Sequence, residues 1–96
     1  MQEILRPFCE VTKDDVKELR KCVEAADYKS AARQAHKIKD AAAYIGAEAL
    51  RATAFEIEQS AQADNPKTVR ALLENMDQEL KVLERTLKED DGSEMT

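Results

Sequence analysis

The feature that most constrains the fold of this chain is its near lack of turn-forming residues. Its 96 residues include only two glycines and two prolines. A β-rich fold needs a turn signal about every 8–12 residues, because each short strand must be reversed into the next. Charged residues make up 36% of the chain, and alanine and leucine dominate the apolar ones, a mixture typical of long helices. The sequence therefore predicts an all-α protein.

Apolar residues recur at steps of three and four in four segments, the pattern of helices with one buried face. Thr12 is the predicted cap of a first helix ending near residue 26, and Asp27 caps a second that ends at Gly46. A third helix follows from Ala47, and a fourth, over about residues 67–88, starts after a cap at Asp64 or Asn65. Connections this short join antiparallel neighbours.

The predicted architecture is an antiparallel up-down-up-down four-helix bundle, preceded by a short N-terminal helical turn around Pro7. One domain over residues 1–88 accounts for all four segments. Residues 89–96 are polar and acidic, so a disordered tail is predicted there. Each helix has a single clear apolar stripe, which favours a monomer.

Composition also excludes several function classes. The net charge is −5 and the pI about 4.9, which argues against nucleic acid as a partner, since phosphate backbones need a concentrated basic face. No apolar run approaches the roughly 18 residues of a membrane span, and the first residues do not resemble a secretion signal, so a cytoplasmic protein is expected. Two cysteines outside a CxxC pair and one histidine predict no metal site.

The single histidine, His36, is the candidate reactive residue. It lies about 100° around the helix from Ala35 and about 160° from Ile38, which places it at the edge of the buried seam, where it is accessible. Its neighbours within two helical turns are Lys29, Ala32, Arg33, Lys39, Asp40 and Ala43. Three cations around an accessible imidazole suit a group that acquires negative charge, such as a phosphoryl group.

A second candidate residue comes from the predicted hairpin around Gly46. Residues equidistant from that turn face each other, so His36 lies opposite the region from Phe55 to Glu58. A Glu58 carboxylate that accepts a hydrogen bond from one ring nitrogen would leave the other nitrogen as the nucleophile. From the residues alone, an ordinary solvated helix face with an unreactive histidine remains an open alternative.

The stretch from His36 to Ala47 reads HKIKDAAAYIGA, and it resembles the signature of histidine-containing phosphotransfer (HPt) domains. That signature is a histidine, any residue, an aliphatic residue, lysine, glycine, small residues, and a Gly-Ala pair ten positions after the histidine. The His, aliphatic, Lys, small and Gly-Ala elements match in register here, and the likeness covers about residues 12–88.

The resemblance implies a phosphorelay carrier in two-component signalling, which takes a phosphoryl group from a receiver-domain aspartate and passes it to another. By position, His36 is the phosphorylated nucleophile, Lys39 offsets phosphoryl charge, Glu58 orients the imidazole and Gly46 forms the turn. The residues expected to dock the receiver are Lys29, Ala32, Arg33, Asp40 and Ala43. Partners would be response-regulator receiver domains and a hybrid histidine kinase, and Mg²⁺ would belong to the receiver alone.

Asp40 departs from the signature, because the family has glycine there. The carboxylate adds bulk and negative charge one helical turn from His36. It either turns away, toward Lys37 or solvent, or takes part in partner selection. The alternative function is therefore a non-catalytic HPt-like module that docks on a receiver or another protein without phosphorylation. Neither the phosphorelay carrier nor the docking module would be an independent kinase, since the chain has no glycine-rich loop for ATP.

Overall fold

The fold is a ring of four antiparallel α-helices, seen in a computed structural model that describes the backbone of residues 2–95 and the side chains of residues 6–86. The helices are α1 (Gln2–Glu24), α2 (Tyr28–Ile45), α3 (Glu48–Gln62) and α4 (Pro66–Met95). Each helix packs on the next, and α4 closes the ring by packing on α1. The predicted all-α, up-down-up-down bundle is confirmed.

Both ends of α2 are formed by residues that the sequence singled out. The Asp27 side chain accepts a hydrogen bond from the Ser30 N–H at 3.2 Å. Gly46 has a φ of +77° and donates its N–H to the carbonyls of Ala42 and Ala43. Glycine takes this left-handed conformation without the steric cost of a Cβ. Because the turn at Gly46 is short, α2 and α3 form a hairpin in which the residues of α2 that face α3 are fixed by their distance from the turn.

Small residues bring α2 and α3 together. Ala31, Ala35 and Ala42 on α2, and Ala54 and Ala61 on α3, are all at most 4% exposed. With only a methyl group at these contacts, the two helix axes can approach closely, and the outward edges of α2 and α3 lie side by side. Larger side chains fill the rest of the core, and the largest fully buried apolar ones are Leu19, Ile38, Leu50, Ile57, Val69 and Met76.

The N-terminal segment differs from the prediction. α1 begins at Gln2 rather than beside Thr12, so the predicted short N-terminal turn is the first part of α1. Thr12 is not a cap but a buried residue, 1% exposed. The core-facing stripe extends upstream, because Phe8 lies four residues before Thr12 and Val16 four residues after it. Pro7 lies in the second helical turn, where its ring removes a single backbone hydrogen bond.

The start of α4 agrees with the prediction. Pro66 is its first residue, and the Asn65 side chain accepts a hydrogen bond from the Thr68 N–H at 3.4 Å. Of the two candidate caps, the structure selects Asn65. Asp64 instead takes a left-handed conformation, with φ +57°, in the turn after α3.

The end of α4 lies beyond the predicted one. The sequence places it near residue 88, whereas the helical backbone continues to Met95. The side chains of residues 87–96 lie outside the described part of the chain. The division into a domain over residues 1–88 and a disordered tail over residues 89–96 stays a prediction.

Glu79 on α4 makes the stability of the bundle depend on pH. The Thr53 hydroxyl donates to its Oε2 at 2.9 Å, while its buried Oε1 has no hydrogen-bond partner among the described residues. Burial raises the pKa of the Glu79 carboxyl, the bond from Thr53 lowers it, and the nearby Glu56 carboxylate raises it. The net pKa shift is upward, so the ionised form of Glu79 is disfavoured in the folded state.

We therefore expect Glu79→Gln to flatten the pH dependence of the free energy of unfolding. A raised folded-state pKa contributes stability that is fully present below the ordinary Glu value of about 4.3 and is lost as pH rises through the folded-state pKa. Urea denaturation at several pH values measures this effect. The free energy of unfolding of Glu79→Gln should increase relative to that of the native chain as pH rises, by about 1 kcal/mol at neutral pH. Glu74→Gln, on the exposed side of α4, is the control; a gain of equal size there would contradict the assignment to Glu79.

Candidate functional site

His36 lies on the outer edge of α2, as predicted from its position beside the buried seam. Ala35 and Ile38, the seam residues on either side, are fully buried, with 0% exposure. The His36 side chain is 52% exposed. Its ring is therefore supported by the bundle on one side and open to another molecule on the other.

Glu58 on α3 contacts the His36 ring, which confirms the proximity predicted from the hairpin. Its Oε2 lies 3.0 Å from His36 Nδ1, and the neighbouring α3 residue Ile57 is fully buried. A carboxylate only accepts hydrogen bonds, so this contact is a hydrogen bond in the tautomer that carries its proton on Nδ1. In the neutral ring the lone pair then lies on Nε2, the nitrogen that faces away from α3.

Lys39 holds the other oxygen of the same carboxylate. Its Nζ lies 3.0 Å from Glu58 Oε1 and 5.4 Å from the centroid of the Phe55 ring. The Lys39 and Glu58 side chains are only 21% and 16% exposed. Glu58 is therefore fixed by two bonds, and the charge of Lys39 is balanced by Glu58.

Asp40 lies on the other side of the imidazole. Its Oδ2 is 3.3 Å from His36 Nε2. The expectation that Asp40 turns away from His36, toward Lys37 or solvent, is therefore wrong, whereas a part in partner selection stays a prediction. Lys37 Nζ instead lies 3.3 Å from Oδ1 of Asp15, a residue of α1. Both ring nitrogens of His36 are thus faced by a carboxylate.

A groove of about 600 Å³ opens beside His36 between α2 and α3. Its lining residues are Tyr28, Lys29, Ala32, Arg33, His36, Glu58, Ala61, Gln62 and Asp64. Within the described part of the chain, neither Lys29 nor Arg33 has an ion-pair partner. The groove therefore presents two positive charges without an ion-pair partner next to the imidazole, although both interact electrostatically with the nearby Asp27 carboxylate and Asp64 lines the same groove.

The residues predicted to dock a receiver lie on both sides of His36. Lys29, Ala32 and Arg33 line the groove, with Ala32 buried in its floor at 7% exposure. Asp40 and Ala43 are exposed on α2 in the direction of the Gly46 turn. The structure thus arranges these positions along one edge of α2, and their docking role stays a prediction.

Sequence reasoning missed several residues around the site. Phe55, 40% exposed, was expected only in the region of α3 that faces His36, and no contact with Lys39 was predicted. Tyr28 and Gln62 line the groove but were not named as site residues. Helical spacing is the signal that could have found them, because Gln62 follows Glu58 by one turn and Tyr28 precedes His36 by two turns.

The described residues contain no metal-binding cluster and no membrane-spanning helix. Their His, Cys, Asp and Glu side chains form no group of three or more that could hold a metal ion. None of their helices combines the length and the apolar character that crossing a bilayer requires.

Comparison with known proteins gives one finding. A family model described as Hpt domain matches residues 3–86, a range that includes α2, α3 and the whole of the site. Comparisons with curated proteins and with solved structures gave no match.

Proposed function

The chain belongs to the Hpt domain family, a family of phosphotransfer domains in two-component signalling, and from this premise we propose that it is a phosphorelay carrier. In this proposal His36 accepts a phosphoryl group from an aspartyl phosphate on a receiver domain. It then passes the group to the aspartate of another receiver. The partners are response-regulator receiver domains and a hybrid histidine kinase, and the compartment is the cytoplasm.

The observation that supports this proposal most directly is the contact between Glu58 Oε2 and His36 Nδ1, at 3.0 Å on a ring that is 52% exposed. An imidazole that serves as a nucleophile needs one nitrogen protonated and held while the other keeps its lone pair. Glu58 supplies the holding contact, and Lys39 keeps Glu58 in place through its second oxygen. Nε2 is left as the attacking atom.

The transfer step follows from this geometry. The lone pair of Nε2 attacks phosphorus, the P–Nε2 bond forms, and the P–O bond to the receiver aspartate breaks. The electron pair of the broken bond stays on the receiver carboxylate. The proton on Nδ1 remains in its hydrogen bond to Glu58, whose negative charge stabilises the positive charge that develops on the ring. Transfer to the next receiver is the reverse of this step.

Charge around the phosphoryl group is the second part of the mechanism. Lys29 and Arg33 line the groove beside His36, and their charges would attract and stabilise a phosphoryl group on Nε2. The charge of Lys39 acts through Glu58 and contributes less direct compensation. We expect Mg²⁺ to be supplied by the receiver, where it would neutralise the oxygens of the transferring group.

The proposal describes a carrier and not a kinase that uses ATP. The full sequence has glycine only at positions 46 and 92, so it lacks the glycine-rich loop that cradles nucleotide phosphates. In this proposal the phosphoryl group therefore reaches His36 from a phosphorylated receiver.

A second function is favoured by one observation, the Asp40 carboxylate 3.3 Å from Nε2. A negative group beside the attacking nitrogen disfavours an incoming phosphoryl group. A module of this family that docks on receivers through the same surface without being phosphorylated is therefore the alternative.

The experiment that separates the two functions is incubation of the chain with receiver domains that carry radiolabelled aspartyl phosphate. We expect label on the chain that is lost in acid and retained in base, the stability of a phosphohistidine. The receiver should lose label at the rate at which the chain gains it. If complexes form with several receivers while no label moves in any of them, the docking module is the correct function.

Replacement of Glu58 by Ala should slow phosphoryl transfer about tenfold, because a hydrogen bond to a charged group is lost from the developing transition state. The bundle should stay folded, since the Glu58 side chain lies at the surface edge of α3. Stopped-flow transfer kinetics and circular dichroism measure the two effects. Gln59→Ala on the exposed neighbour serves as the control. A loss of helicity in Glu58→Ala would show that Glu58 acts on the fold instead of on the imidazole.

A further inference from the structure

The Asp40 carboxylate lies beside His36 Nε2, the nitrogen that attacks phosphorus in the proposed function. Its Oδ2 lies 3.3 Å from His36 Nε2, within the distance at which an attacking nitrogen and a phosphorus atom would need to approach. A carboxylate has no proton to donate. The contact is therefore favourable only when Nε2 bears a proton, and in that form Nε2 has no lone pair for attack. When Nε2 is unprotonated, the carboxylate faces a lone pair and repels an incoming phosphoryl group.

The two carboxylates around His36 differ in how firmly they are held. Glu58 is 16% exposed and bonded through both oxygens, to His36 and to Lys39. Asp40 is 66% exposed, and His36 is its one ion-pair partner among the described residues. Lys37, the cation next to it on α2 that was expected to attract it, is engaged with Asp15 on α1. Asp40 is therefore free to rotate away, whereas Glu58 is not.

Repulsion by an incoming phosphoryl group favours rotation of Asp40 into solvent, and a cation placed beside the rotated carboxylate would favour it further. The nearest cations of the chain itself are committed, Lys39 to Glu58 and Lys37 to Asp15. Lys29 and Arg33 line the groove, whereas Asp40 does not. A cation that pairs with the turned Asp40 carboxylate would therefore come from the molecule that docks.

We propose that Asp40 is a specificity-determining residue that covers Nε2 in the free protein and turns to a basic side chain of the docked receiver when the phosphoryl group is transferred. This inference rests on the proposed function. It adds a requirement on the partner, which must place a lysine or arginine at the border of its phosphorylated aspartate, opposite Asp40. Receivers without such a side chain, and small phosphodonors, react slowly with the native chain.

The first test compares phosphorylation by a small donor, phosphoramidate, in the native chain and in Asp40→Ala. Phosphoramidate carries no basic side chain, so nothing draws Asp40 away from Nε2. The variant should react about tenfold faster than the native chain, because one like-charge repulsion is removed. Asp40→Glu keeps the charge and should stay slow. Asp14→Ala, an exposed acid on α1, makes the same change in net charge and should react at the native rate.

The second test uses a receiver that transfers to the native chain, with the basic residues bordering its aspartate replaced by alanine one at a time. One replacement should slow transfer to the native chain about tenfold and leave transfer to Asp40→Ala nearly unchanged. Raising the salt concentration should slow the native pair more than the Asp40→Ala pair.

Equal phosphoramidate rates in the native chain and Asp40→Ala would overturn the proposal, as would the lack of any receiver residue coupled to Asp40. Failure of the proposed function is distinguishable from these results. In that case neither the native chain nor Asp40→Ala acquires label from a receiver or from phosphoramidate.

Discussion

Replacing His36 by Gln should reduce phosphoryl transfer to the chain to background, a loss of about a thousandfold or more. Glutamine resembles histidine in size and polarity, but its amide nitrogen has no lone pair available for attack on phosphorus. The position is half exposed, so the free energy of unfolding should change by less than about 0.5 kcal/mol. Transfer from a radiolabelled receiver, together with circular dichroism, measures both effects on the same preparation.

Lys37→Gln is the matched control for this experiment. It introduces the same side chain one residue further along α2, where the native lysine pairs with Asp15 on α1 and not with the imidazole. The control should accept label at a rate close to the native one. Label that persists on His36→Gln would mean that another side chain of the protein accepts the phosphoryl group.

Ile38→Ala should lower the free energy of unfolding by about 2–5 kcal/mol, the range observed when a buried isoleucine or leucine is truncated. Ile38 is 0% exposed in the seam of α2, two residues after His36. Truncation leaves a cavity beside small alanine side chains of α2 and α3, which have little bulk with which to refill it. Domains of this size have about 5–15 kcal/mol of total stability, so the midpoint of urea denaturation should move substantially.

The control is Val82→Ala, which removes aliphatic atoms from a position of α4 that is 56% exposed. It should change the free energy of unfolding by less than about 0.5 kcal/mol.

At a temperature where Ile38→Ala remains folded, the Ile38→Ala variant should transfer phosphoryl groups at a rate near the native one, because no atom of the site is altered. A stability loss below about 1 kcal/mol would show that α2 and α3 close over the cavity and that the seam is less tightly packed than the burial of Ile38 indicates.

The helices were predictable where local signals agree with tertiary packing. Asp27 and Gly46 bound α2 as expected, since a capping side chain and a left-handed glycine act through the backbone within a few residues. The start of α1 was not predicted, because Thr12 and Pro7 are local signals for a helix start. The burial of Phe8 and Thr12 against other helices overrode those signals.

The pairing of His36 with Glu58 was also predictable, for a geometric reason. The turn at Gly46 is so short that counting away from it in both directions gives the residues that face each other across α2 and α3. Counting from the turn does not predict which rotamer each side chain adopts. The contact of Lys39 with Phe55 and the pairing of Lys37 with Asp15 depend on which rotamers the packed bundle leaves open.

The four-helix class and the edge position of His36 could be predicted because they follow from helical periodicity along one chain, and the family resemblance could be seen in the residues from His36 to Ala47. What the charged side chains around His36 contact could be read only from the packed helices. There, Glu58 and Lys39 are bonded together and Asp40 lies over Nε2. The sequence is compatible with several ion-pair partners for each of these charged side chains. Which partner is contacted depends on where α1 and α3 pack against α2.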